Sequence, residues 1–261
     1  MAQDPALGTP RLPFLPLRVI VLLAATVVIE AALLAWALGA ARLKLPLGAV
    51  IPVPLLPRML CGVALALAVF SAPLLWHGHP AHEHGRGARA MLLVRAAYAA
   101  AWQALVLGFL LLVLARLAPL AAGSILQASV WLGLCAFAVI LLALLVPRAY
   151  AGLVFIWIVA VPVCVYMVAE VFIVSHGGVG WSDATGPQAD TLRAATHWLL
   201  SLSPGTALDG ALTGILADGT DFAWVLPFVH MCILDVVLAW FVARRGASAL
   251  EPHGRDAAAT Q

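Results

Sequence analysis

His77, His79, His82 and His84 crowd into one short stretch, HGHPAHEHG, with Glu83 among them. Neutral imidazole is a common ligand for zinc, copper and nickel, and His-rich tracts can bind metal. Gly78, Pro80 and Gly85 keep these rings off a single helical face, whereas a working metal centre needs a closed ligand set with further groups behind it. The tract therefore reads first as a solvated loop and second as a metal site. A different set, Glu30, Glu170, His230 and Asp235, lies inside long apolar runs, with Gln103 and Gln127 as neutral polar companions. A charge at the centre of a bilayer costs at least ~2.5–3.5 kcal/mol on insertion scales. These residues are thus candidates for lining a substrate pathway. The alternative is an interfacial Glu170, with His230 and Asp235 satisfied by hydrogen bonds between helices. His230 and Asp235 do not share a helical face at their spacing, so no pairing between them is expected.

Other chemistry is absent from the sequence. It contains no GxxxxGK[ST] phosphate loop, no GxSxG elbow and no HExxH, so no catalytic residue is assigned. The loop histidines His176 and His197 belong to a different connection from the His77–His84 tract. Cys61, Cys135, Cys164 and Cys232 all fall in apolar runs, with no CxxC pair. They read as small packing residues.

The elements that must carry these residues follow from composition. The 261-residue chain is 64% hydrophobic and 10% charged, with a mean hydropathy of +1.05. Soluble domains carry about 25% charged residues. A water-soluble single core is excluded, and a net charge of +2 gives no basis for nucleic-acid binding. An all-α integral membrane protein is expected. A spanning helix needs about 20 apolar residues, and six stretches qualify: 17–38, 59–76, 91–117, 121–146, 150–174 and 222–242. Residues 1–16 form an N-terminal segment, 17–243 the transmembrane domain and 244–261 a tail. The first run is longer than the ~7–15 apolar residues of a secretory signal, and reads as a retained span. Between the first two spans, Pro46, Pro52, Pro54 and Pro57 predict an extended or re-entrant connection over 45–57.

Orientation follows from Lys and Arg, which favour cytoplasmic loops. One side collects Arg11, Arg18, Arg86, Arg89, Arg95, Arg148, Arg244, Arg245 and Arg255; the other has Arg42, Lys44, Arg58, Arg116 and Arg193. Both termini are expected in the cytoplasm, in a multi-pass protein of a cell inner membrane. The connection from Ser175 to Asp221 is then external. Within it, Leu192, Ala195, Leu199 and Leu202 recur at helical spacing. Ser203-Pro204-Gly205 breaks that helix, and Thr206 can cap a second short one through ALDGALTGILA. Neither can span. They predict a short re-entrant hairpin turning at Ser203, Pro204 and Gly205, or a pair of interfacial helices lying flat. Small-xxx-small spacings form no convincing stripe for dimerisation.

This layout, with TLRAATHWLLSLSPGTALDGALTGIL just before the last span and the basic tail ARRGASALEPHGR after it, resembles the membrane subunit of ABC-2 type transporters. The resemblance implies a permease of unknown substrate, paired as a homo- or heterodimer in the lipid bilayer. It also implies a separate ATP-binding subunit that holds the ATP, with no cofactor in this chain. Residues 77–90 would contact that subunit, and Glu30, Glu170, His230 and Asp235 would line the outward cavity. The alternative function is a non-transporting integral subunit or assembly factor of a larger membrane complex; a further one is an intramembrane enzyme using His230 or Asp235.

Overall fold

The computed structural model describes residues 17–43, 55–74, 86–116, 120–175, 191, 195–196, 199–200, 203–213 and 225–245. Among these the chain is almost entirely helical. In order come α1 (Leu17–Leu43), α2 (Leu55–Leu74), α3 (Arg86–Leu114), α4 (Ala122–Leu145) and α5 (Tyr150–Phe155). A π-helical turn (Ile156–Ala160) joins α5 to α6 (Val161–Ser175), and α7 (Pro204–Thr213) and α8 (Val225–Arg245) complete the set. Three stretches are long and apolar enough to cross a bilayer: Leu56–Leu74, Ala90–Leu114 and Ala122–Leu145. Their outward faces are apolar too, with Phe70 74% and Leu105 70% exposed. Large unbroken faces of that kind belong against lipid or protein. The chain is a helical membrane protein.

α4 is the centre. It carries no charge, and a helix apolar all round is built for burial. Leu132, Cys135, Ala136, Ala138, Val139, Ile140 and Leu141 are fully enclosed. Around it pack α2, α3, α7 and α8. The α3–α4 seam is the most extensive and has a plain physical basis. Ala100 shares a buried cluster with Ala136. A Cβ on Gly133 would stand 3.1 Å from Ala104 Cβ, and one on Gly108 would stand 2.8 Å from Ser129 Oγ. Stepping four residues down α3 retreats about four along α4, as antiparallel neighbours must. Small side chains let two helices approach closely where no hydrophobic effect drives them together. These small residues line a seam within one chain, split between two helices, which is distinct from a stripe for dimerisation.

Proline accounts for two irregularities. Pro73 lies inside α2 and has no N–H to give the carbonyl of Val69, four residues earlier. The Tyr150 hydroxyl, at the start of α5, donates to that carbonyl at 2.7 Å. The π-helical turn ends two residues before Pro162, and the Val161 N–H reaches back to the Ile156 carbonyl. π-turns and prolines are both recognised sources of bends. Beyond this point no described side chain of α6 joins the core.

Several expected boundaries move. α2 begins at Leu55, so Pro57 sits in its first turn, where proline is tolerated; the expected extended connection over 45–57 ends earlier. α3 begins at Arg86, so Arg86–Ala90 is helical rather than loop. The cysteines do not all pack inside: Cys61 and Cys135 are buried, but Cys164 is exposed and Cys232 half-buried.

Candidate functional site

α8 places Met231, Asp235, Leu238 and Val242 on its buried stripe, at the spacing of one helical face. Asp235 is 5% exposed. Neither of its carboxylate oxygens has a hydrogen-bond partner. Its neighbours in electrostatic reach include Cys135 on α4 and Cys232 on its own helix. His230 lies on the opposite side of α8 and is exposed. The expected lack of a His230–Asp235 pair thus agrees with the helix geometry.

On α1 the buried stripe is Leu23, Thr26, Glu30 and Leu34. Thr26 Oγ1 donates to the Leu23 carbonyl at 2.7 Å, a local bond that uses its one hydroxyl proton. Glu30 is 3% exposed, and its Oε2 has no hydrogen-bond partner. α1 packs on α2 and α3. Glu170 lies on α6, and its side chain falls outside the described residues. The expected pathway residues are therefore distributed: Glu30 and Asp235 face the interior from different helices, and His230 faces outward.

Gln103 is the polar residue whose importance the sequence understated. It is buried on α3, and its Nε2 donates to Ser71 Oγ on α2 at 3.3 Å, while Ser71 Oγ donates to the Ala68 carbonyl at 3.2 Å. Its Oε1 remains without a donor. The signal for it was present, a neutral polar residue on the apolar stripe of Ala96, Ala99, Leu107, Leu110 and Leu114, but α2 had to be in place to give it a partner.

The Ser-Pro-Gly segment forms the start of α7. Pro204 is the first helical residue, where its fixed φ and missing N–H do no harm. The Ala207 N–H donates to the Ser203 carbonyl at 3.0 Å, the first bond of the helix. Thr206 does not precede the helix as its cap; it lies within the first turn, and its hydroxyl donates to the Leu200 and Ser203 carbonyls. Ser203 keeps Oγ buried without a partner. Ala207, Leu208 and Ala211 are buried, and α7 packs on α4 and α2. Leu212 is half-buried against the same core. Leu199, in contrast, is 40% exposed.

Metal chemistry finds no support among the described residues, where no group of three His, Cys, Asp or Glu side chains is placed to hold an ion. His77, His79, His82 and His84 lie outside the described residues. No family model matches the chain, and no curated protein or solved structure matches it either.

Proposed function

We propose that this chain is the membrane-spanning permease subunit of an ABC-2 type, ATP-driven transporter, with six spans and both termini in the cytoplasm. The observation that supports this reading is α7. A short helix opening on Ser203-Pro204 and packed on α4 and α2, just before the last long helix, is the arrangement a re-entrant external segment requires. Peptide groups left bare in hydrocarbon cost several kcal/mol each, and burial against the bundle together with the Thr206 bonds reduces that cost. At the far end of α8, Arg244 lies over the Trp240 ring at 4.1 Å. An aromatic beside a cation suits a membrane–water boundary, in keeping with a cytoplasmic C-terminus.

In this reading a separate ATP-binding subunit docks on the cytoplasmic face, with residues 77–90 as its contact. Two permease subunits enclose the pathway, and the exposed apolar surface of α6 is available to the second one. Transport is then a shift between inward- and outward-open states, which ATP binding on the partner stabilises differently. The test is co-purification in detergent with an ATP-binding subunit encoded beside this chain. Association that accelerates or restrains ATP hydrolysis supports the permease. Failure of any such subunit to associate, with the chain instead recovered in another membrane complex, favours the non-transporting subunit.

A further inference from the structure

Ile233, Val236, Val237, Trp240 and Phe241 are all exposed on α8. At 100° per residue they share one side of the helix, opposite the stripe of Met231, Asp235, Leu238 and Val242 that meets the core. Arg244, in the last turn, is exposed and continues the same side. The 21 residues of α8 rise about 31 Å, close to the ~30 Å hydrocarbon thickness of a bilayer. A spanning α8 therefore sets Arg244 at one boundary. Ile233 lies about 16 Å deeper by helical rise, roughly the depth of one leaflet's hydrocarbon, ~15 Å.

The boundary end of this side is built around one ring. Arg244 Cζ stands 4.1 Å from the Trp240 ring centroid. The Phe241 ring stands at 78° to Trp240, with centroids 4.9 Å apart. Held between them, the indole keeps one face turned to the guanidinium. A ring face attracts the positive charge and leaves N–H donors for an oxyanion. Asp235, the one acid in α8, cannot take those donors: it is nine residues back, about 13 Å by rise, and on the core side. The last carbonyls of a helix repel an anion, so an anion reaching this end must be met by the side chain of Arg244.

We propose that Arg244, oriented by Trp240, binds the phosphate of an anionic phospholipid whose acyl chains lie along the exposed side of α8. Charge selects the anionic class. In phosphatidylcholine the phosphate carries its own cation, which Arg244 repels and for which it already occupies an aromatic face. The site requires that α8 cross the bilayer and is independent of the transporter reading.

The experiment uses full-length protein in detergent micelles containing phosphatidylglycerol and phosphatidylcholine of matched chains. Native mass spectrometry reads which lipid stays bound. Wild-type chain is expected to retain phosphatidylglycerol in preference. Arg244→Ala should lower that preference about fivefold, the equivalent of ~1 kcal/mol for one basic residue at an anionic surface. Trp240→Leu, which keeps the charge but removes its platform, should also lower it, by less. Arg148→Ala, at another exposed arginine, should leave it intact. Unfolding temperatures near wild type in all three variants show that the fold is kept, as substitutions at exposed positions predict. A preference unchanged in either Arg244→Ala or Trp240→Leu overturns the proposal. So does an equal fall in Arg148→Ala, which reports diffuse surface charge, or equal retention of the two lipids by the wild type.

Discussion

Tyr150 and Pro73 show how a single hydroxyl can repair a helix. The Val69 carbonyl loses its helical donor because residue 73 is proline, and Tyr150 supplies a replacement from α5. Interhelical hydrogen bonds in membranes are worth about 0.6–1.7 kcal/mol, so Tyr150→Phe should lower the unfolding temperature in detergent by a few degrees. In a Pro73→Ala background the backbone N–H returns, and the same change should cost much less. An equal penalty in both backgrounds would refute the repair. Gly108 makes a second pair with Ser129. A methyl group at 108 collides with Ser129 Oγ, which is itself bonded to the Ile125 carbonyl at 2.7 Å. Gly108→Ala and Ser129→Ala should therefore couple, by about 0.5–3 kcal/mol as contacting residues do. The double variant should be more stable than Gly108→Ala alone; thermal unfolding of the four proteins in one detergent measures this. Pro73 was visible in the sequence as a flaw in a span. Its remedy was not, because the partner lies 81 residues away.

Among the elements, α7 has the most to disclose. Its buried edge is made of Ala207, Leu208 and Ala211, two small residues flanking one large one. Leu208→Ala empties a filled position and should destabilise by about 2–5 kcal/mol. Ala211→Leu should instead push α7 off α4, exposing a cysteine placed at 207 to a maleimide that leaves it unreacted otherwise. If a cysteine at 207 reacts freely with Ala211 intact, α7 is not seated on the bundle. The helix itself was legible, since Pro204, the ALDGAL run and the preceding Ser203 are start signals with known mechanisms. Its first residue was misjudged by three positions, Ala207 after a Thr206 cap against Pro204. Thr206 is a good capping residue by type, but Pro204 is pre-shaped for the first helical position and takes it. For Leu199 too, periodicity defines a face but does not say what that face meets.

For the molecule as a whole, the arrangement of charge makes the sharpest forecast. In a background lacking the native cysteines, cysteines near Asp183 and Asp218 should react with an impermeant maleimide added to intact cells. One near His82 should react only after the membrane is opened. The reverse pattern would invert the orientation. Removing Cys61 and Cys135 for this purpose disturbs buried positions, so the background must first show wild-type unfolding behaviour; Cys164 is exposed and should be replaceable at little cost.

The sequence by itself determined that the chain is helical and belongs in a membrane, because an apolar run of sufficient length has no other stable state in water or lipid. It also marked Glu30 and Asp235 as expensive residues, since the cost of a charge in hydrocarbon depends on position along the run alone. What only the tertiary structure decided is which way each one points. A turn of 100° per residue separates the buried Asp235 from the exposed His230, and neither hydropathy nor composition carries that angle until α4 supplies a neighbour. The same holds for Gln103, Tyr150 and Gly108: each is an ordinary residue in its own helix and acquires a role only from the atom that the adjacent helix brings beside it.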